Sequence, residues 1–122
     1  MKIGKQGKAT TTVVPGNTAK AVGSGLIEVF STPMMIALME EAACDALEGD
    51  LESGQSSVGM AVNIEHLAAS KLGESIVASA TVTAVDKRKI TFDIKASDSK
   101  KEIGKGTHTR YIIDVERFMS KL

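Results

Sequence analysis

Hydrophobic residues follow two different spacings along the chain. Between residues 32 and 47 they recur at helical spacing, and the acidic residues Glu41, Asp45 and Glu48 fall at i, i+4 and i+7 on one polar stripe. From Val58 onward apolar and polar residues alternate with a period of two, which is typical of half-buried strands. The pattern predicts one long helix, apolar on most of its surface, followed by a run of strands.

The ends of this helix carry their own signals. Ser31 or Thr32 can cap the first turn, and Pro33 suits that turn because its missing N–H would have no helical partner there. Leu47 ends the apolar pattern, and Gly49 is a natural stop. We therefore predict a helix from Thr32 to Leu47.

Strands are predicted on both sides of the helix. The β-branched segment Lys8–Val14 comes first and is closed by a Pro-Gly-Asn turn, and a second extended piece is expected over Thr18–Val22. After the helix, four strands joined by hairpins are predicted over Val58–His66, Ser75–Val85, Ile90–Ala96 and Ile103–Val115.

The strand Val58–His66 separates its residues into two faces. One face is apolar and carries Val58, Met60, Val62, Ile64 and His66. Gly59 falls on the opposite face by this count. In the last strand Gly104 and Gly106 share a face, where their missing side chains would let the helix approach the sheet closely.

A helix that is apolar on most sides must be covered on most sides. A curved antiparallel β-sheet wrapped around a long central helix would do this, which is the hot-dog fold of the α+β class. One such sheet leaves free edges, so a homodimer or a dimer of dimers is expected. The 122 residues show no linker or repeat, and we expect residues 1–122 to form a single domain.

Composition excludes several classes of function. Fifteen basic and fifteen acidic side chains cancel, so no nucleic-acid or membrane partner is expected. The single cysteine, Cys44, cannot form an internal disulfide and is interpreted as a core filler, and the polar first residues do not resemble a signal peptide. We therefore expect a cytoplasmic location. Without metal-ligand spacing or another cofactor motif, no metal and no cofactor are expected.

Glu40 is the residue that fits the helix pattern least well. It lies off the polar stripe, and its neighbours one turn away are Ile36, Ala37, Ala43 and Cys44. A carboxylate buried among such residues costs several kcal/mol unless a positive group pairs with it. Glu40 therefore has either a basic partner, on a strand or a second subunit, or a chemical role.

Three segments, in this order, resemble the hot-dog thioesterases related to fluoroacetyl-CoA thioesterase. They are Phe30–Met35 with Leu38–Glu40, Gly59 ahead of Ile64–Ser70, and Glu102–Arg110. The resemblance implies that Thr32, Glu40 and His66 form the catalytic group. It also implies that the backbone of Gly59 lines the thioester site and that Arg110 belongs to that site, while Phe30 is the aromatic residue available to shape the pocket.

These residues could together hydrolyse a small acyl-CoA thioester. Glu40 can act as general base on water or attack the carbonyl itself, and His66 can pass a proton to the leaving thiolate. Thr32 can donate its hydroxyl group or serve as the nucleophile. The phosphates of CoA would suit basic residues of the turns and of the last strand, namely Lys87, Arg88, Lys89, Lys100, Lys101 and Arg110.

Other interpretations remain open. Thr32 serves equally well as a helix cap, and His66 as a hydrogen-bonded core histidine. A non-catalytic module that binds acyl-CoA would use the same pocket, and a hot-dog hydratase acting on enoyl-CoA would also use a buried acid and a histidine. His108 shares a strand face with Arg110 and is therefore a further candidate for the site.

Overall fold

The fold is a five-stranded antiparallel sheet curved around one long helix, seen in a computed structural model that describes residues 1–122. The strands are β1 (Gln6–Thr12), β2 (Gln55–His66), β3 (Ser75–Asp86), β4 (Lys89–Ser97) and β5 (Glu102–Asp114). The helices are α1 (Ala19–Val22), α2 (Thr32–Ala46) and α3 (Val115–Ser120), with a 3₁₀ turn at Pro15–Asn17. The order in the sheet is β1-β3-β4-β5-β2, so β1 and β2 form its edges. The predicted hot-dog architecture is confirmed.

Helix α2 begins where the sequence places its cap. The Met34 N–H donates to Ser31 Oγ at 3.2 Å, and Pro33 occupies the first turn. The helix ends at Ala46, and Gly49 follows with a φ of 84°, a left-handed conformation that suits glycine. Because Ser31 supplies the cap, the hydroxyl group of Thr32 is free for another partner.

The core lies between one side of α2 and the concave face of the sheet. The buried residues of the helix are Met35, Leu38, Met39, Ala42, Ala43 and Ala46. They pack against alternating residues of the central strands, namely Ile76, Ala78, Ala80 and Val82 of β3 and Ile90, Phe92, Ile94 and Ala96 of β4. The opposite side of α2, with Met34, Ala37 and Glu41, is exposed in a single chain.

Two glycines allow α2 to lie close to the sheet. A Cβ atom at Gly7 would overlap the backbone of α2, and one at Gly104 would lie 2.6 Å from the Met35 side chain. The same role predicted for Gly106 is wrong, because a Cβ there would meet the backbone of β2 instead. Gly106 therefore permits close pairing of two strands and not close packing of the helix.

Strand β2 contains a β-bulge between Gly59 and Ala61, which interrupts the predicted alternation. Gly59 pairs with Arg110, and His66 pairs with Gly104. Since Arg110 and Gly104 are an even number of residues apart on β5, Gly59 and His66 face the same side of the sheet, toward α2. The prediction that they lie on opposite faces is wrong.

Two further segments differ from the prediction. The extended piece expected over Thr18–Val22 is helix α1, since Thr18 Oγ1 accepts the Ala21 N–H at 3.3 Å and Gly23 ends the turn with a φ of 81°. Helix α3 follows β5 in a region without a predicted element. None of the helices combines the length and apolar character that crossing a membrane requires.

A buried carboxylate ties the turn between β4 and β5 to the segment that follows β2. Asp98 accepts hydrogen bonds from Ser70 Oγ at 2.9 Å and from Lys101 Nζ at 2.8 Å, and from the backbone N–H groups of Lys100 and Lys101. The Lys101 ammonium group, helped by these other donors, holds the pKa of Asp98 far below its ordinary value against the opposing effect of burial.

Candidate active site

Thr32 and His66 meet where the first turn of α2 passes the last residue of β2. The distance from Thr32 Oγ1 to His66 Nδ1 is 2.7 Å. When the ring proton is on Nε2, Nδ1 accepts the threonine hydroxyl proton, and the ring is placed to act as a base toward that hydroxyl. The cap at Ser31 makes this possible, since it leaves the Thr32 hydroxyl without a role in the helix.

The surroundings of His66 favour its neutral form. Burial lowers the pKa of His66, and the nearby backbone of Ala68 opposes this effect only in part. The second ring nitrogen, Nε2, is shielded from solvent and has no hydrogen-bond partner within the chain. Buried polar atoms are nearly always paired. In this protein His66 Nε2 is the one buried side-chain nitrogen or oxygen atom without a hydrogen-bond partner.

A depression of about 360 Å³ opens beside the pair. Besides Thr32 and His66, its walls include Phe30, Val29 and the segment 67–69 at the end of β2. Phe30 is 1% exposed, so its ring forms a fixed part of the wall. The predicted aromatic residue therefore lies next to the predicted threonine and histidine.

Glu40 lies two turns further along α2, above β2 and β5. Its Oε2 atom is 3.2 Å from Arg110 Nη1 and 3.8 Å from His108 Nε2. A Cβ atom at Gly59 would overlap the same carboxylate oxygen, so the missing side chain leaves room for Glu40. The Glu40 side chain is 38% exposed, less buried than the helix pattern indicates, and its partner is the strand arginine that the sequence left open as an alternative.

Arg110 is held from several directions. Its Nε donates to Ser57 Oγ at 2.8 Å and its Nη2 to the Ser57 carbonyl at 3.0 Å, while Nη1 faces both Glu40 and His108. The residue is 6% exposed. Because its donors point into the protein, this geometry suits a role in fixing Glu40 better than a contact with CoA phosphates.

Within one chain the two groups of residues are apart. Thr32 and Glu40 are eight residues apart on α2, which corresponds to about 12 Å along the helix axis. Gly59, next to Glu40, is seven residues from His66 on β2, which corresponds to roughly 20 Å. Each chain thus carries two separate groups of candidate site residues, the Thr32 half-site and the Glu40 half-site. The Thr32 half-site consists of Thr32 and His66, and the Glu40 half-site consists of Glu40, Gly59, His108 and Arg110.

Some of these residues could not be found from the sequence. Ser57 carries no signal, because its contact with Arg110 depends on how β2 pairs with β5. For His108 the sequence contains one indication, namely that it shares a strand face with Arg110. In the structure His108 lies in the Glu40 half-site, beside Arg110. Cys44 is exposed, so its interpretation as a core filler is wrong.

The basic residues of the turns differ in their availability. Lys101 is engaged by Asp98 at 2.8 Å, and Arg88 pairs with Asp114 at 3.3 Å. Lys87, Lys89 and Lys100 are exposed. Among the residues predicted to meet CoA phosphates, these three have ammonium groups without an ion pair in the chain.

Comparison with known proteins gives a consistent result. The family described as fluoroacetyl-CoA-specific thioesterase matches residues 13–116. A fluoroacetyl-CoA thioesterase of Streptantibioticus cattleyicolor is 38% identical over 95 residues, which cover 78% of this chain and 68% of that protein.

Solved structures agree with this assignment. A fluoroacetyl-CoA thioesterase has a TM-score of 0.94 at 32% identity, with 99% of this chain and 94% of that chain covered. A thioesterase superfamily member from Thermus thermophilus has a TM-score of 0.91 at 22% identity, covering 98% and 89% of the two chains, and supports the fold alone. The chain therefore belongs to the fluoroacetyl-CoA-specific thioesterase family and is a thioester hydrolase of the hot-dog fold.

Proposed function

We propose that the protein hydrolyses a small acyl-CoA thioester to the free acid and CoA, with Thr32, Glu40 and His66 as its catalytic group. The observation that carries this proposal is the 2.7 Å contact between the Thr32 hydroxyl group and the His66 imidazole beside an open depression. Binding alone needs no hydroxyl group paired with an imidazole base, so this pair favours the enzyme over a binding module. Solved relatives hold fluoroacetate with CoA, or acetyl-CoA, which supports a short acyl chain.

The active form is proposed to be a homodimer joined through β2. This strand is at the edge of the sheet, is twelve residues long, and carries Met60 at 56% and Val62 at 37% exposure. A long edge with apolar side chains tends to pair with another strand, and a two-fold dimer lets β2 pair with its own copy. The exposed apolar residues of α2, such as Met34, would be covered in the same assembly.

Such a dimer would complete the site. In an antiparallel pair of β2 strands, the beginning of one strand lies beside the end of the other. With a two-fold axis near residues 62–63, Gly59 of one chain comes next to His66 of the partner subunit, on the same face of the sheet. The Glu40 half-site of one chain then meets the Thr32 half-site of the other, and the unpaired Nε2 of His66 gains a carboxylate within reach.

The chemistry follows from this arrangement. Glu40 takes a proton from water, which adds to the thioester carbonyl carbon to give a tetrahedral intermediate. The Thr32 hydroxyl group gives its proton to the hydrogen bond with His66 Nδ1, so its oxygen is free to accept a hydrogen bond from the attacking water. Collapse of the intermediate breaks the carbon–sulfur bond, His66 gives its Nε2 proton to the departing CoA thiolate, and the protonated Glu40 returns a proton to His66.

The direct test measures hydrolysis of acetyl-, propionyl-, butyryl- and longer acyl-CoA substrates by the wild type and by Glu40→Gln and His66→Ala. Loss of thioester absorbance is the suitable readout, because the exposed Cys44 would react with thiol reagents. Each substitution should lower kcat by about 100-fold or more with folding intact. Glu41→Gln, on the exposed side of α2, is the matched control and should retain full activity. A wild type that binds these thioesters but hydrolyses none would overturn the proposal.

Mixed dimers test whether the two chains share a site. Glu40→Gln and His66→Ala chains, given different affinity tags and co-expressed, are purified as the heterodimer. If each site takes Glu40 from one chain and His66 from the other, one of the two sites is intact, and about half of the wild-type activity returns. If each site lies within one chain, the heterodimer is as inactive as its parents. Light scattering measures the mass of the assembly, and cell fractionation tests the proposed cytoplasmic location.

A further inference from the structure

His108 occupies an unusual place for an ionisable residue. It is 1% exposed beneath α2, and its ring stacks on Phe92 with the ring centroids 6.0 Å apart. It does not reach the depression at Thr32, yet its Nε2 is 3.2 Å from Arg110 Nη1. The hydrolytic steps described above give this residue no role.

The contacts of His108 fix its protonation. Its Nδ1 is 2.8 Å from the carbonyl oxygen of Ala61, which can only accept, so Nδ1 carries a proton. Arg110 is permanently protonated and can only donate, so Nε2 must hold a free lone pair. Both contacts are satisfied at once only by the neutral ring with its proton on Nδ1. Burial, which lowers the pKa of His108, favours the same neutral form.

The acceptor on His108 completes the placement of Arg110. Ser57 takes hydrogen bonds from Nε and Nη2 and so sets the plane of the guanidinium group, while the two hydrogens of Nη1 need partners of their own. The two hydrogens of Nη1 serve His108 Nε2 and Glu40 Oε2, each at 3.2 Å. With Oε2 held in this way, Glu40 Oε1 has no partner within the chain and is the oxygen available to a reacting water.

We infer that His108 is a positioning residue, a neutral hydrogen-bond acceptor that aims Arg110 at Glu40 and thereby orients the catalytic carboxylate. The inference rests on the proposed function of Glu40 as the base. It concerns a residue that touches no substrate and acts through two others. Without the acceptor, one Nη1 hydrogen of Arg110 is left without a partner in a buried place, and the donor that faces Glu40 Oε2 is held less firmly.

Two substitutions separate this role from simple packing. His108→Leu fills the same space with an apolar side chain and removes the hydrogen-bond acceptor. In His108→Gln, the amide oxygen can accept from Arg110 and the amide nitrogen can donate to the Ala61 carbonyl. We expect His108→Leu to lower kcat by about 10- to 100-fold with KM little changed, since a misplaced base affects chemistry more than binding. His108→Gln should recover most of the lost kcat. Thr107→Val, on the exposed face of β5, is the control for substitution in this strand.

A double-mutant cycle with Glu40→Gln decides whether His108 acts through Glu40. If His108 acts through Glu40, His108→Leu should lower kcat by less than about threefold further when Glu40 is already replaced. Equal losses in both backgrounds, or unchanged kcat in His108→Leu, would overturn the positioning role while leaving the proposed function in place. A fully active Glu40→Gln would instead overturn the proposed function itself. Melting temperatures of all variants show whether a loss of kcat reflects unfolding.

Discussion

Thr32 Oγ1 and His66 Nδ1 are joined by a 2.7 Å contact although 34 residues separate them in the chain. The contact connects the first turn of the central helix to the last residue of an edge strand. Thr32 is available for it because the neighbouring Ser31 caps the helix. Two adjacent hydroxyl groups thus have separate partners, one in the helix cap and one, in the proposed mechanism, for chemistry.

This division predicts opposite outcomes for two alanine substitutions. Ser31→Ala should lower the free energy of unfolding by about 1 kcal/mol, the usual cost of a lost cap, and keep kcat near the wild-type value. Thr32→Ala should lower kcat by about 100-fold with little change in stability, and Thr32→Ser should restore much of the activity. Urea unfolding and steady-state hydrolysis measure the two effects. Comparable losses of activity in Ser31→Ala and Thr32→Ala would contradict the assignment.

Gly59→Ala is expected to damage activity without damaging the fold. The added Cβ would overlap Glu40 Oε2, so the carboxylate must move away from Arg110. We expect kcat to fall by about 10-fold or more and the melting temperature to stay close to that of the wild type, since Gly59 is exposed on an edge strand. In the Glu40→Gln background the same substitution should add little. A Gly59→Ala enzyme with normal kcat would show that the position of Glu40 is not critical.

Asp98→Asn tests a pH-dependent contribution to stability. The pKa of Asp98 is lowered on folding, chiefly by Lys101, so the charged form stabilises the fold above the ordinary pKa of 3.8 and this contribution is lost as the pH falls below it. At pH 7 the variant should lose about 1.5–3 kcal/mol of unfolding free energy, the usual value for charged hydrogen bonds. Near pH 3 its difference from the wild type should shrink. A difference that is constant across pH would argue against the ion pair as its source.

Gly7→Ala is expected to destabilise the protein because its Cβ would overlap the backbone of α2, which cannot move without disturbing the core. Overpacking of this kind costs about 1–3 kcal/mol or more. Gly16→Ala is the matched control, since no atom lies within 4 Å of the added methyl group, and should change stability by less than about 0.5 kcal/mol. Chemical unfolding of both variants measures the contrast.

The sequence was sufficient for the central helix, its start, its stop and the five main strands, because each has a strong local signal in spacing or capping. It also brought Thr32 and His66 onto adjacent elements. The exposure of Glu40 and Cys44 could not be predicted, because a helix that is apolar almost all round does not indicate which side meets the sheet. The segment after Thr18 was misassigned because Thr18 caps a short turn whose Ala and Lys residues favour a helix over a strand.

The bulge in β2 was the hardest feature to predict. The run from Val58 to Ala61 alternates large and small residues. This alternation fits a regular strand and a strand with one extra residue equally well, so it does not reveal the bulge. Only the pairing with β5 decides which residues turn inward. The placement of Gly59 beneath Glu40 is therefore a property of the sheet and not of the strand alone.

That one extra residue also governs how this strand can change during evolution. Gly59 and His66 are an odd number of residues apart in the sequence. They share a face only because the extra residue of the bulge makes the number of paired positions between them even. A one-residue deletion or insertion that keeps the bulge would leave every residue of the half-sites present in an alignment, yet turn one of the two away from the helix, whereas loss of the extra residue itself would leave both on one face. When relatives are compared, the length of this interval and the presence of the bulge therefore have to be read together with the identity of the residues.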